Sequence, residues 1–176
     1  VLFRGDANEA KQTMPFSQFD SQNPEDLWRS LDEFSSKTGA QVLSIPHNGN
    51  LSNGRMFSVE NFDGGPLKKR IAELRARMEP LMEVTQIKGD GEAHPFLSPD
   101  DEFADYETWD KANLDGTELK KNEMLQYEYA REALKTGLKL NQKLGVNPYR
   151  FGMIGSTDSH TSMTTAEEEN FFGKHS

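Results

Sequence analysis

The 176-residue chain contains no cysteine. Disulfide frameworks, cysteine-type zinc sites and thiol nucleophiles are thereby excluded, and the redox compartment is left open. Apolar residues are scarce at 34%, although they cluster in periodic segments that still permit a core. No apolar run approaches the ~18 residues of a membrane-spanning helix, so no membrane span is expected. Basic residues are outnumbered, 20 Lys and Arg against 29 Asp and Glu, for a net charge of −9. An acidic chain without a Lys/Arg run argues against electrostatic binding of nucleic acid, and none is expected. Also missing are the G-x-S-x-G nucleophile turn, the G-x-x-x-x-G-K phosphate loop and the G-x-G-x-x-G dinucleotide turn.

The chain starts without Met, in "VLFRG", and stops in "NFFGKHS". The start reads either as a protease-site remnant or as native strand. We expect a fragment of something larger, with any targeting segment outside it. The compartment, cytoplasmic or exported, and the oligomeric state stay open.

What is present alternates. "PEDLWRSLDEFSSKTG" reads as a helix, with Asn23 as cap, Pro24 at the first position, acids in the first turn and Gly39 as stop. Leu27, Trp28, Leu31 and Phe34 form its apolar face. "QVLSIP" (41–46) reads as a buried strand that opens into the Asn-rich "HNGNLSNG". A second helix is expected from Pro66, with Leu67, Ile71, Leu74 and Met78 on one side. "LMEVTQI" (81–87) is the next strand, leading into "KGDGEAHP". A long third helix is expected over 117–144, with Tyr127, Ala130, Leu134 and Leu138 at helical spacing. "YRFGMIGS" (149–156) is the last strand. Helix–strand alternation predicts an α/β fold with parallel strands and right-handed crossovers. Three such strands make a thin sheet, again suggesting a piece of a larger barrel or sheet.

Three of the four histidines and two acids gather near strand ends. His47 directly follows "QVLSIP", Glu83 lies within "LMEVTQI" and His94 in the loop beyond it. Asp158 and His160 lie in "GSTDSHT" (155–161). Sites in parallel α/β folds form at the carboxyl ends of strands, so these groups can converge on one rim. Asp158 and His160, at i and i+2, project to the same side of an extended chain. Imidazole plus carboxylate suits zinc, manganese or iron rather than calcium. Ser156, Thr157, Ser159 and Thr161 could orient such ligands.

Each residue also has a plainer reading. A D-x-H triplet is frequent, His47 can merely end a strand, and His94 can be an ordinary surface histidine. Glu83 is harder to dismiss, because a carboxylate buried in a strand needs a partner or a metal. The acidic stretch 98–110 reads as a solvated face, since it lacks calcium-loop spacing. His175 carries no functional weight.

Four motifs, "VLSIPHNGNLSNGRMF", "MEVTQIKGDGEAHPF", "SPDDEFADYETWD" and "FGMIGSTDSHT", together resemble a bacterial family, that of domain of unknown function 3604. "PFSQFDSQNPEDLW" fits its lead-in and favours native sequence at the amino end. This family is similar to the PHP (polymerase and histidinol phosphatase) metal-dependent hydrolases. The resemblance implies part of a distorted (β/α)7 barrel with two or three zinc, manganese or iron ions at its rim. It implies a metal-dependent hydrolase, of phosphoesterase type, acting on a small-molecule or phosphoester substrate through metal-activated water. By motif, His47, Asp158 and His160 become metal ligands. Glu83 becomes a ligand or a catalytic base beside Asp158 and His160. Asn48, Asn50, Gln86, Glu92 and His94 become pocket residues. The H-x-H and D-H motifs that open PHP proteins do not occur here. A carboxyl-side fragment holding half a site, inactive in isolation, is therefore expected. The alternatives are a non-catalytic metal-binding module, or a saccharide- or protein-binding module using loop 48–53 and the aromatics near Trp109.

Overall fold

The computed structural model describes residues 1–156, 158, 160 and 169. Thr157, Ser159, Thr161 and His175 lie outside the described residues. The chain forms two compact units: Val1–Ile45, Val59–Pro80 and Gly137–Phe151 make one, and Pro46–Ser58, Leu81–Thr136 and Gly152–Ser176 the other. Among the described residues, no helix is long and apolar enough to cross a membrane.

In the first unit, β1 (Leu2–Arg4) pairs antiparallel with β2 (Gln41–Leu43). "VLFRG" is thus built into a sheet. A four-residue helix α1 (Ala7–Ala10) follows, boxed by Asp6 and Glu9. Helix α2 (Pro24–Thr38) has the capping its sequence predicts. The Asn23 side chain accepts from the Glu25 amide at 2.9 Å, and Gly39, at φ 79°, closes the helix by donating to Ser35. Only a residue tolerant of positive φ ends a helix this way at low cost.

Helix α3 (Lys69–Met78) starts three residues later than Pro66 suggests. Pro66 is bridged to Glu60, and the Leu67 amide donates to the Val59 carbonyl, which holds both residues extended. The expected apolar face survives, with Leu67, Ile71, Leu74 and Met78 all buried alongside Trp28 and Leu31. Inside this core Arg75 is ion-paired to Glu79 at 2.9 Å and lies over the rings of Trp28 and Tyr149. Trp28 donates its indole N–H to the other Glu79 oxygen at 2.8 Å. The indole N–H, both carboxylate oxygens and the Arg75 Nε of this buried set are thereby engaged, as burial requires.

The second unit holds the one parallel pair among the described residues. β3 (Leu81–Glu83) runs beside β6 (Gly152–Ile154), Leu81 opposite Gly152 and Glu83 opposite Ile154. The Pro46 carbonyl accepts from the Glu83 amide at 3.0 Å, which brings "PHN" alongside β3. The strand expected over 81–87 breaks after Glu83. β4 (Thr85–Gln86) folds back on β5 (Gly89–Asp90) as a tight hairpin with Ile87 and Lys88 at its tip. Gly89 sits at φ 100°, a conformation costly for any residue with a Cβ.

The single helix expected over 117–144 is instead α4 (Asn122–Leu125) and α5 (Ala130–Leu144). Residues 118–120 are drawn into pairing with 111–113. The Tyr127 carbonyl accepts from Phe57, and the first amides of α5 donate to the Gly91 and Glu92 carbonyls. Tertiary partners thus outcompete helical continuation. The buried α5 positions are Ala130, Ala133, Gly137 and Leu140, whereas Leu138 is 65% exposed, so the face read from spacing holds at Ala130 and is corrected at Leu138.

Candidate functional site

The second unit gathers its polar side chains at the carboxyl ends of β3 and β6. Glu83 closes β3 and is 5% exposed. One of its oxygens accepts from the Ser156 amide at 2.6 Å and the other from the Ser156 hydroxyl. Ser156 stands two residues past β6, so the parallel register sets these groups side by side.

Beyond Ser156 the chain turns rather than staying extended. Asp158 and His160 have φ of 51° and 58°. Asp158 becomes the hub of the cluster. Its Oδ1 lies 2.7 Å from His160 Nε2, and its Oδ2 is 3.9 Å from His47 Nε2. The same Oδ2 accepts from the Lys88 ammonium, delivered by the β4–β5 hairpin tip. Burial opposes the charge on Asp158, yet Lys88, His47 and His160 together hold its carboxyl below the usual range.

Of the expected pocket residues, Gln86 and Asn48 bond to each other at 2.8 Å. Asn48 adopts φ 63°, which Asn tolerates better than most residues. Asn50 is fully buried and donates to the carbonyls of Lys88 at 3.0 Å and Trp109 at 3.1 Å. Gln86 Oε1 and Asn50 Oδ1 have no partner among the described residues. Such buried acceptors call for a donor from water or a ligand.

Two of the expected pocket residues are engaged by partners within the protein. His94 is 6% exposed, not the surface histidine its context suggests. Its Nδ1 accepts from the Phe96 amide, which makes Nε2 the protonated nitrogen that donates to Asp110 at 2.9 Å. Neither nitrogen is left for a metal. Glu92 and Asp101 both hold Arg131, so part of the acidic stretch is an ion-pair partner rather than a solvated face. The backbone amide of Phe103, and then Arg131, keep the Asp101 carboxyl below its ordinary range.

Lys88 is the member that sequence reading missed. A lysine in a Gly-rich turn looks like a solvated charge, and only the hairpin carries it to Asp158.

The donor types at Asp158, two imidazoles and a carboxylate, are those of a zinc, manganese or iron site. The arrangement is incomplete. Among the described residues, no three His, Asp or Glu side chains form a group able to hold an ion. Both Glu83 oxygens are engaged by Ser156, and an ammonium already meets Asp158. The residues fit a metal by chemistry but supply only part of its shell.

These features define a chain of mixed helices and short strands with a carboxylate–imidazole–ammonium cluster beyond its parallel pair. The chain belongs to the family described as "Protein of unknown function (DUF3604)", whose model matches residues 1–176. No curated protein and no solved structure matches it.

Proposed function

We propose that this chain contributes part of the rim of a metal-dependent hydrolase of phosphoesterase type, within a PHP-like (β/α)7 barrel. The observation that carries this reading is Asp158. Its carboxylate is flanked by two imidazoles, one strand over from the fixed carboxylate of Glu83.

His47, Asp158 and His160 would each contribute a donor to the ion's shell, which ligands from outside the described residues would have to complete. A bound zinc, manganese or iron ion supplies charge stabilisation and lowers the pKa of a bound water to about 7. Glu83, oriented by Ser156, would be a further ligand or accept a proton from water. Gln86 and Asn48 fix the backbone beside His47 through their mutual bond.

The test is metal content and hydrolysis of a phosphomonoester panel by the full-length protein, before and after His160→Ala. The reading requires metal-dependent turnover that falls at least about tenfold with the ligand removed. Full activity in a normally folded variant would sink it.

A further inference from the structure

Beside Lys88 lies a cleft of about 630 Å³, within the roughly 300–1,000 Å³ usual for small-molecule sites. One wall is Lys88 itself and the other is the segment from Thr108 to Gly116. The walls are tied together. Asn50 donates to the carbonyls of both Lys88 and Trp109, and Asp90 donates its amide to Glu107. A Cβ on Gly89 would stand 2.7 Å from the Cβ of Trp109, so this glycine lets the two walls approach.

The chemistry of the lining is specific. Lys88 is only 5% exposed, and its ammonium has a single hydrogen-bond partner among the described residues, Asp158. An ammonium carries three donors, so two have no acceptor among the described residues, on a side chain withdrawn from water. Lys111 adds a second positive charge to the lining and Asp115 a negative one. The Asp110 carboxylate is taken up by His94, and the Asn113 amide by Thr117 and Glu118. Trp109 is 42% exposed, leaving indole surface on which a ring can lie.

We propose that this cleft binds an organic phosphate ester, its anionic head on Lys88 and its ring on Trp109. Lys88 then links the cleft to Asp158, making the cleft the substrate subsite of the hydrolase proposed above, on which this part of the reading rests. An anion placed there supplies the acceptors that Lys88 lacks, while Asp158 keeps the ammonium oriented.

The experiment uses the full-length protein, stripped with a chelator, titrated with phenyl phosphate by calorimetry and by tryptophan fluorescence. Saturable binding is expected, with a fluorescence change that disappears in Trp109→Phe. Lys88→Met should raise Kd about tenfold or more, the loss of one charge-assisted hydrogen bond. Trp109→Ala, at an exposed position, should weaken phenyl phosphate about fivefold and leave inorganic phosphate unchanged. Absence of saturable binding would overturn the proposal, as would an unchanged Kd in a folded Lys88→Met. If that variant does not fold, an unchanged Kd for phenyl phosphate in Trp109→Ala would overturn it instead. Hydrolysis is read separately on metal-loaded protein. Binding that depends on Lys88 without any turnover sinks the hydrolase reading and supports the cleft as a ligand site.

Discussion

Asp158 and His160, two positions apart, face each other across 2.7 Å, carboxylate Oδ1 to imidazole Nε2. The other oxygen of Asp158 serves Lys88, so this one side chain holds the cluster together. Removing its charge leaves an ammonium withdrawn from water without a counter-charge. Asp158 is itself only partly buried, so we expect Asp158→Asn to cost about 1–3 kcal/mol, the range for leaving one buried donor without its partner. Chemical denaturation reads this as a lower midpoint at unchanged slope.

Ser156 fixes Glu83 through its amide and its hydroxyl. Ser156→Ala removes only the second bond, leaving the fold intact and the carboxylate less well aimed. If Glu83 acts as proposed, kcat/KM on a phosphomonoester falls about 10- to 100-fold, as for outer-shell partners of metal ligands. An unchanged kcat/KM would remove Glu83 from the chemistry.

Glu128 is fully buried. It accepts from Lys120 and from the Gly54 amide, while its Oε2 has no partner among the described residues. Burial pushes its carboxyl up despite the opposing pull of Lys120. A folded pKa above the unfolded value of ~4.3 means that the native state binds the extra proton. The resulting stabilisation is full below ~4.3 and is lost as pH rises through the folded pKa. Denaturation midpoints followed upward from pH 4 should therefore decline more in the wild type than in Glu128→Gln. Parallel pH profiles would contradict this.

Arg75 fills the first unit's core between Trp28 and Tyr149 and pairs with Glu79. Lysine keeps the charge but neither stacks as a plane nor donates as a fork. We expect Arg75→Lys to lower stability measurably and to shift the emission of the buried Trp28. Arg75→Ala should cost about 3–5 kcal/mol by leaving Glu79 buried without its cation. Equal midpoints for wild type and Arg75→Lys would argue that charge alone matters there.

Helix α2 was legible in full because its signals are local. Asn23, Pro24, the acidic first turn and Gly39 act within a few residues of one another. The break of the third helix was not legible, because it depends on carbonyls at 91 and 92 and an amide at 57. The same holds for His94. Its spacing says nothing of Asp110 or of the Tyr129 ring, whose centroid lies 5.1 Å away.

For the candidate site, the sequence alone determined which groups exist and the chain positions from which they must act. A cysteine-free chain with four histidines admits few ligand sets, and strand ends are where a parallel pair presents them. Only tertiary structure decided who meets whom. The β3–β6 register set Ser156 against Glu83, and a hairpin two residues wide brought Lys88 to Asp158 from seventy positions away. Backbone propensity acts over a few residues, whereas an ion pair or a parallel register is fixed only once distant segments pack.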